Sequence, residues 1–384
     1  MPRLTGLSFA HPAVAADRRA PLCLTDVSLS DARSRLRSDG HDAFLLSTCM
    51  RVEIVWEGGL EKTTDVLTGL YGDDSMSDLG VRRVDGDLFL HLCRVAAGLD
   101  SPMVGEREVL GQFRRAVAVY QESPRGLGRA LEAAVGIGRA IRRHLGESTK
   151  GSLGAVAAGA VTAHERVAVL GAGTMARAAV QVLPEAGVTV FARRPGQVAG
   201  HEARPWDEAV EALATFPVVM STVPGESPLF PEEVVGRLLA SRANPLFLID
   251  LGMPPGFDGH SDHPLVRYMG IDEVASSVVG QTSLEVEQMM VSEAASAWVR
   301  LAAPDRVGSV IAAMVGQADR AVDEEVRRFA GRLSGAQDPE PILRQLAHTV
   351  ARRVLHPPIS YVGSTEPGSE AVEVIADAFG VVDE

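Results

Sequence analysis

Cys49 is the residue of this sequence best suited to covalent chemistry, because it lies in a short polar stretch between two apolar runs. Ser47, Thr48 and Arg51 are its polar neighbours within residues 43–55. A thiolate is a strong nucleophile, and a nearby cation lowers the pKa of a thiol. Arg51 is therefore predicted to favour the ionised form of Cys49. The alternative is that Cys49 is a small buried hydrophobe at the end of a strand.

A glycine-rich turn in the middle of the chain predicts a nucleotide site. A strand-like run at 166–170 leads into a G-x-G-x-x-A turn made of Gly171, Ala172, Gly173, Thr174, Met175 and Ala176. A helical stretch at 178–185 and a second strand at 188–191 follow. This order of elements is typical of a Rossmann fold, in which the turn and the helix N-terminus bind the pyrophosphate of a dinucleotide.

Two arginines after the second strand indicate which dinucleotide binds. Chains that bind NAD place an acidic residue near the end of this strand, where it contacts the ribose 2′-hydroxyl. This chain has Arg193 and Arg194 there, and an arginine suits the 2′-phosphate of NADP. We therefore predict NADPH as the cofactor. The alternative is a pair of surface arginines at a strand end.

The composition is that of an ordinary globular protein with two or three domains. The 384 residues are 46% hydrophobic, 23% charged and 5% aromatic, which excludes global disorder. The three cysteines, Cys23, Cys49 and Cys93, are too few and too far apart for a disulfide framework or a Cys-x-x-Cys pair, and the sequence lacks an H-E-x-x-H zinc motif. These observations predict a cytoplasmic protein without a structural metal.

The apolar runs of the sequence predict no membrane crossing. Residues 151–164 form an uncharged run of 14 residues, whereas a spanning helix needs about 20 apolar residues. The uncharged segment at 4–16 is predicted to be a strand followed by a turn. The alternative for that segment is a short signal peptide.

The net charge of −13 is unevenly distributed along the chain. Residues 1–160 carry 20 basic and 20 acidic residues, and residues 161–384 carry 17 and 30, so the whole excess lies in the second part. A polyanionic ligand is therefore expected to prefer the first 160 residues. The basic residues that cluster there are Arg125, Arg129, Arg139, Arg142, Arg143 and Lys150. The alternative is a solvated helix face.

From about Glu273 onward the sequence has the apolar spacing of long helices. Val274, Val278 and Leu284 begin a pattern that continues to Val354, with interruptions near residues 304 and 335–341. Such an extended helical block is typical of an oligomer interface, and the alternative is simple core packing.

Three separated motifs resemble the glutamyl-tRNA reductase family. Its hallmark S-T-C-N-R-T-E appears here as S-T-C-M-R-V-E at 47–53, and its H-L-F-R-V-A-S-G-L-D-S as H-L-C-R-V-A-A-G-L-D-S at 91–101. Gly105-Glu106 and Leu110-Gly111-Gln112 follow in matching places. The glycine turn and the Ala192-Arg193 pair extend the resemblance over nearly the whole chain.

The resemblance implies an α/β multidomain fold. It divides the chain into an N-terminal α/β catalytic domain at 1–155, a Rossmann NADPH-binding domain at 156–270 and an all-helical dimerisation domain at 271–384. It also implies a V-shaped homodimer that reduces charged tRNA, glutamyl-tRNA in the family. The product, glutamate 1-semialdehyde, begins the five-carbon route to tetrapyrroles, and an aminotransferase is a possible partner that receives the aldehyde.

The resemblance also assigns roles to individual residues. Cys49 displaces the tRNA hydroxyl to form a thioester, and hydride from NADPH reduces it to the aldehyde. His91 is the acid/base candidate, since imidazole titrates near neutral pH. Arg51 is predicted to bind the substrate carboxylate, and the remaining predicted substrate-binding residues are Thr48, Ser101, Glu106 and Gln112.

Four departures from the family pattern leave the substrate open. Met50 replaces the asparagine after the cysteine, which removes an amide donor and acceptor. The other departures lie at 6–14, 139–144 and 253–256. They keep three alternatives in view: a divergent reductase of another aminoacyl-tRNA or acyl carrier in specialised metabolism, a catalytically silent regulator that binds NADPH or tRNA, and a small-molecule NADP oxidoreductase.

Overall fold

The architecture is described from a computed structural model of the chain. It describes residues 3–24, 26–120, 126–145, 151–162, 165–184, 187–194, 196–223, 229–257, 263–278, 280, 282–302, 306–333, 338–365 and 369–379. Two members of the predicted basic cluster, Arg125 and Lys150, lie outside these ranges. The chain forms two compact units, Met1–Ala303 and Pro304–Glu384.

The first unit begins with a four-stranded antiparallel sheet. Its strands are β1 (Leu4–Ala10), β2 (Ala43–Ser47), β3 (Arg51–Glu57) and β4 (Val81–Val84), in the order β2-β3-β1-β4. Side chains of a strand alternate between the two faces of a sheet. Both faces of β2 are buried, since Phe44 and Leu46 join one hydrophobic cluster while Ala43 and Leu45 join another. Because β1 spans Leu4–Ala10, the segment at 4–16 begins with the predicted strand.

Helices cover both faces of this sheet. They are α1 (Ala16–Arg19), α2 (Asp26–Ser38), α3 (Thr63–Tyr71), α4 (Asp85–Ala97), α5 (Arg107–Tyr120) and α6 (Gly126–Arg142). Helices α2 and α3 bury Leu36 and Leu67 against one face. Helix α5 buries Phe113 against the other face, where its ring centroid lies 5.4 Å from that of Phe44. The predicted N-terminal α/β domain is confirmed.

The first unit also contains a six-stranded parallel sheet. Its strands are β5 (Val167–Leu170), β6 (Val188–Ala192), β9 (Arg204–Pro205), β10 (Val218–Ser221), β11 (Leu246–Asp250) and β12 (Val266–Gly270), while β7 (Gln197–Val198) and β8 (His201–Glu202) pair separately. The spatial order β9-β6-β5-β10-β11-β12 is the 3-2-1-4-5-6 order of a Rossmann fold. The predicted Rossmann domain is confirmed.

The helices of the parallel sheet are α7 (Leu153–Ala158), α8 (Thr174–Val182), α9 (Ala209–Thr215), α10 (Glu232–Ala240) and α11 (Ile271–Ser276). Helix α11 buries Ile271 and Val274 in the same cluster as the strand residue Val169. The next helix, α12 (Leu284–Ala302), instead buries Met290 and Ala294 in the cluster that contains Phe44. The helical region beyond 271 is therefore not one separate body, because its first two helices complete the cores of the preceding sheets.

The second unit is entirely helical in its described part. It consists of α13 (Arg306–Leu333), α14 (Glu340–Gly363) and α15 (Glu370–Phe379), which agrees with the predicted helical C-terminal block. Helix α14 continues through Pro357 and Pro358. Within the described ranges of the chain, no helix combines the length and the apolar character needed to cross a membrane.

Candidate active site

Cys49 lies at the tip of the hairpin that joins β2 and β3, as the sequence predicts. The loop is closed by the Thr48 N–H, which donates to the Arg51 carbonyl at 2.8 Å. The Thr48 hydroxyl accepts hydrogen bonds from the N–H groups of Met50 and Arg51, at 3.3 and 3.2 Å. Threonine side chains favour such tight turns because they satisfy backbone donors locally. Thr48 therefore fixes the backbone that presents Cys49.

The Cys49 thiol is half-buried and lies in an acidic environment. Burial raises the pKa of Cys49 to about 12, and the charges of Glu106 and Glu108 act in the same direction, while Arg19 lowers it. The prediction that Arg51 favours the thiolate is therefore wrong for this state of the protein. Its guanidinium group binds elsewhere, and the cation that does lower the Cys49 pKa is Arg19.

This environment predicts how Cys49 reacts with an alkylating agent. Only the thiolate is nucleophilic, and below the pKa its fraction rises about tenfold per pH unit. Because the pKa of Cys49 is raised to about 12, we expect the rate of alkylation by iodoacetamide to increase about tenfold per unit between pH 7 and 9. Mass spectrometry of the modified peptide measures this rate, and a plateau near pH 8 would contradict the expectation.

Arg51, Glu53, His91 and Asp100 form a buried ionic network beside the hairpin. The Arg51 guanidinium donates to Glu53 at 3.2 Å and to the Asp100 carbonyl. His91 Nε2 lies 3.0 Å from the second Glu53 oxygen, and His91 Nδ1 lies 3.4 Å from Asp100. Ser8 donates to Glu53 at 2.9 Å. The structure therefore brings together two of the predicted residues, Arg51 and His91, around a carboxylate that sequence analysis did not single out.

The charges of this network shift the pKa values of Glu53, His91 and Asp100 so that each charged form is favoured. Burial alone would raise the pKa of Glu53 and lower that of His91. The mutual attraction of Glu53 and His91 outweighs burial, so the pKa of Glu53 is lowered and that of His91 is raised. Arg51 supports the shift of Glu53, and the hydrogen bond to Asp100 supports that of His91. The pKa of Asp100 falls to about 2 through His91 and Arg94 despite burial. The raised pKa favours the protonated form of His91, in which both ring nitrogens donate to carboxylates.

The other predicted substrate residues occupy different positions. Arg51, His91 and Asp100 line a cleft of about 650 Å³, which we call the His91 cleft. Gln112 and Ser47 line a second cleft, and Ser101 is buried. Ser47 and Arg51, through which the two clefts reach the cysteine hairpin, belong to β2 and β3.

Glu106 is the predicted substrate residue most closely linked to the thiol by charge. Burial and the charge of Glu108 raise the pKa of Glu106 to about 7, and Arg142 opposes this shift. Arg142 also fixes the backbone there, since it donates to the carbonyls of Gly105 and Glu106 at 2.7 and 2.6 Å. Arg142 is thus part of the site's scaffold and not a member of a solvated basic face.

Arg19 is a site residue that sequence reasoning missed. It is completely buried and donates to the carbonyls of Val14 and Cys49, the latter at 3.4 Å. It also pairs with Asp272 of α11 at 2.7 Å, and Asp272 accepts the Ala16 N–H at 2.7 Å. This arginine connects the cysteine loop to the Rossmann domain. Its partner is more than 250 residues away in sequence, so no local pattern could have revealed the contact.

The glycine turn lies where the parallel sheet binds a cofactor. Gly171 has φ of 120°, and a Cβ there would lie 2.5 Å from Thr222 Oγ1, so only glycine fits between β5 and β10. A Cβ on Gly173 would meet open space, which leaves room for a ligand against the backbone. Thr174 begins α8 and Ala176 is buried beneath it. The turn therefore fits a dinucleotide pyrophosphate at the helix N-terminus.

Arg193 and Arg194 lie directly after β6 and are exposed. Strand β6 is the parallel neighbour of β5, so both arginines lie at the same sheet edge as the glycine turn. That edge is where the ribose of the adenosine half binds in Rossmann folds. Among the described residues, no group of three or more His, Cys, Asp or Glu side chains is arranged to hold a metal ion.

Family models match the chain in three successive segments. Residues 7–145 match the N-terminal domain of glutamyl-tRNAGlu reductase, residues 155–277 match shikimate/quinate 5-dehydrogenase, and residues 287–381 match the dimerisation domain of glutamyl-tRNAGlu reductase. Together with the fold and the site, these matches define a class: an oxidoreductase in which a cysteine-bearing domain precedes a Rossmann domain for a nicotinamide cofactor.

Curated relatives match the chain over nearly its full length. A glutamyl-tRNA reductase from Salinispora arenicola is 30% identical and is aligned over 96% of this chain and 89% of its own length. One from Roseiflexus sp. is 26% identical over 95% and 94%. The chain belongs to the glutamyl-tRNA reductase family. A solved structure of the Methanopyrus kandleri glutamyl-tRNA reductase covers 97% of both chains at 21% identity, with a TM-score of 0.41.

Proposed function

We propose that this protein reduces glutamyl-tRNA to glutamate 1-semialdehyde with NADPH, through a thioester on Cys49. This is the first step of five-carbon tetrapyrrole synthesis. The observation that carries the proposal is the position of the cysteine loop against the cofactor domain. Met50 is buried in the same cluster as Val169, which precedes the glycine turn, and Ala176, which ends it, and Cys49 packs against that cluster. The reactive sulfur therefore lies beside the domain that holds the reductant.

The reaction has two steps, transfer of the acyl group to Cys49 and its reduction. In the first, Cys49 Sγ forms a bond to the aminoacyl carbonyl, the ester bond breaks, and the thiol proton passes to the ribose oxygen of the tRNA. For the second, NADPH held by the glycine turn would supply the hydride that, with one proton, would reduce the thioester to the aldehyde and release the Cys49 thiol.

The side chains of the site have separate tasks in this mechanism. Arg51 lines the His91 cleft and supplies a guanidinium group for the substrate carboxylate. His91 lies between Glu53 and Asp100, and its protonated form, which the raised pKa favours, adds positive charge beside Arg51. Glu106, whose pKa is raised to about 7, exchanges protons near the thiol at neutral pH.

The position of Met50 supports glutamate as the substrate. Its side chain is buried with the cofactor domain and is absent from the residues that line the His91 cleft. The loss of the family asparagine therefore changes the contact between domains, whereas the predicted carboxylate site around Arg51 keeps its polar groups.

The direct test is to measure NADPH oxidation against a panel of charged tRNAs and to trap the products for mass spectrometry. We expect glutamate semialdehyde with glutamyl-tRNA. A different aldehyde would show that the chain acts on another aminoacyl-tRNA. Cofactor binding without any product would instead support a silent regulator.

The three free cysteines agree with the cytoplasmic location that we propose.

Replacing both Arg193 and Arg194 with alanine is expected to weaken NADPH binding. A charge-assisted hydrogen bond contributes about 1.5–3 kcal/mol, so we expect the Kd for NADPH to rise about 10- to 100-fold while that for NADH stays unchanged. Fluorescence titration with both cofactors measures this. The variant Arg237→Ala removes an exposed charge from α10 and serves as the control. Equal affinity of the wild-type protein for NADH and NADPH would contradict the prediction.

The matched dimerisation domain supports a homodimer through the C-terminal helices. Helix α14 exposes Ile359 and Tyr361 by 64% and 56% of their surface, and large exposed apolar side chains mark protein interfaces. We expect Ile359→Glu to shift the protein toward monomer, measured by light scattering at micromolar concentration. His348→Glu adds a charge at an exposed polar position of the same helix and should leave the dimer intact; an unchanged mass for Ile359→Glu would contradict the prediction.

A further inference from the structure

Asp250 is a buried carboxylate at the end of β11, at the carboxyl edge of the parallel sheet, and it is only 1% exposed. Its Oδ1 accepts the N–H of Gly252 at 2.9 Å, and its Oδ2 accepts the N–H of Gly256 at 2.7 Å. The N–H of Phe257 and the hydroxyl of Tyr268, on β12, also donate to it. One side chain therefore holds the backbone that follows β11 at both of its ends.

The segment 251–257, which we call the Asp250 loop, packs against the glycine turn through Val223. A Cβ on Gly252 would lie 2.9 Å from the Val223 carbonyl oxygen, and a Cβ on Gly171 would lie 3.0 Å from Val223 Cγ2. These contacts follow from the sheet, in which β5, β10 and β11 are parallel neighbours. The segments that follow these strands therefore meet at one edge.

The Asp250 loop also reaches the cysteine hairpin. Leu251 and Met253 are buried in the hydrophobic cluster that contains Met50. Cys49 and Ala172, which belongs to the glycine turn, pack against the same cluster. The loop therefore shares one cluster with the reactive hairpin and with the turn that fits the cofactor.

The Asp250 loop lies on the side of the glycine turn opposite to Arg193 and Arg194. Both arginines follow β6 on one side of β5, whereas β10 and β11 lie on the other side. A dinucleotide binds across the carboxyl ends of a Rossmann sheet, with its pyrophosphate at the turn after the first strand. With the adenosine half at β6, the nicotinamide half extends over the ends of β10 and β11, where the Asp250 loop lies.

We propose that Asp250 is a positioning residue for hydride transfer, because it holds the Asp250 loop in the shape that orients the nicotinamide ring toward the acyl group on Cys49. This inference rests on the proposed function. A buried carboxylate that accepts several hydrogen bonds fixes the backbone around it, since breaking any of them leaves a polar group unpaired. Hydride transfer depends steeply on geometry, and a shift of about 1 Å can lower a rate about 100-fold.

The first test is the variant Asp250→Asn. An amide nitrogen cannot accept a hydrogen bond, so the N–H of Gly252 or that of Gly256 loses its partner. We expect the single-turnover rate of NADPH oxidation by the preformed glutamyl-enzyme to fall at least about tenfold. Acylation of Cys49 without NADPH should keep its rate, and the Kd for NADPH should rise less than about threefold, because the glycine turn is intact. The control Glu233→Gln, at an exposed position of α10, should keep both rates.

A second variant, Gly252→Ala, moves the loop without removing the carboxylate. Its Cβ would lie 2.9 Å from the Val223 carbonyl oxygen and 3.0 Å from Asp250 Oδ1, so the loop must shift. We expect the same pattern of slow hydride transfer and normal acylation. This variant tests the proposal even where Asp250→Asn fails to fold.

The fluorescence of bound NADPH gives a readout without turnover, because the emission of the reduced nicotinamide ring depends on its surroundings. We expect enhanced emission with the wild-type protein and emission close to that of the free cofactor with Asp250→Asn and Gly252→Ala. Equal emission and equal hydride-transfer rates in all three proteins would overturn the role of Asp250. A wild-type chain that forms no glutamyl adduct would instead refute the proposed function, and the emission measurement, which needs no tRNA, would still test Asp250.

A pH profile separates this role from simple packing. Burial raises the pKa of Asp250 to about 6, and only the ionised form accepts every N–H, so the wild-type hydride-transfer rate should rise with pH through about 6 and then level. Among the described residues, Tyr268 is the titratable group that faces Asp250, and burial raises its pKa, so it stays protonated in this range. Ser221, paired with Asp250 from β10, does not titrate. Asp250→Asn should lack this rise, and an identical profile would contradict the proposal.

Discussion

Replacing Cys49 with serine is expected to lower the rate of aldehyde formation by about 10⁴-fold or more, as seen when other enzymes lose their nucleophile. The physical reason is that a serine hydroxyl at this half-buried position has no adjacent base strong enough to ionise it, whereas the thiol ionises far more readily. The substitution exchanges one sulfur atom for oxygen at a loop tip and leaves the hydrogen bonds of Thr48 intact. Folding and NADPH binding should therefore be preserved.

The measurement has two parts. Stopped assays with trapped semialdehyde give the rate, and intact-protein mass spectrometry after mixing with glutamyl-tRNA in the absence of NADPH detects the glutamyl adduct on the wild-type chain. The control is Cys23→Ser, which alters the partly buried neighbouring thiol and is expected to keep most of the activity. Substantial turnover by Cys49→Ser would eliminate the thioester mechanism.

The local parts of the site could be predicted from the sequence because their signals are local. Apolar runs on both sides of 47–51 give two strands and place Cys49 in the turn. The glycine turn at 171–176 is likewise read from spacing, and the structure shows why Gly171 is required, since Thr222 leaves no space for a side chain.

The charges around the thiol could not be predicted in the same way. Cys49 lies in the turn and Arg51 begins β3, so their closeness in sequence does not decide which side chains meet. Arg51 binds Glu53 and Asp100, while Arg19 reaches the Cys49 carbonyl from α1. For a similar reason, the predicted domain boundary at 271 does not separate one hydrophobic core from another. Helical periodicity identifies α12, but only the three-dimensional contacts show that Met290 belongs to the core of the first sheet.

Arg94 illustrates how these distant contacts tie the site together. It donates to Asp100 at 2.7 Å and pairs with Glu287 of α12. Asp100 also contacts His91, so the start of α12 is connected to the ionic network beside the hairpin. A pattern of apolar residues contains no information about such pairs, because a surface-like Glu at 287 reads as a solvated charge.

The Glu53→Gln variant is expected to lose much of the stability of the first unit. Glu53 is 1% exposed and accepts hydrogen bonds from Ser8 and Arg51 while facing His91. Glutamine keeps the shape but removes the negative charge, which leaves the buried Arg51 and His91 facing a neutral amide. Breaking a buried ion pair by removing one partner costs about 3–5 kcal/mol. We expect a loss of this size in urea denaturation, and Glu61→Gln at an exposed position should have little effect.

The pH dependence of the wild-type protein provides an independent check of the same network. The pKa of Glu53 is lowered from 4.5, so its contribution is present above pH 4.5 and is lost as the pH falls through the folded value. The pKa of His91 is raised from 6.5, so its contribution is complete below pH 6.5 and is lost as the pH rises through the folded value. The network therefore stabilises the fold most between about pH 4.5 and 6.5. Glu53→Gln should flatten the acid limb of this profile, and an unchanged profile would mean that Glu53 does not carry its charge in the folded protein.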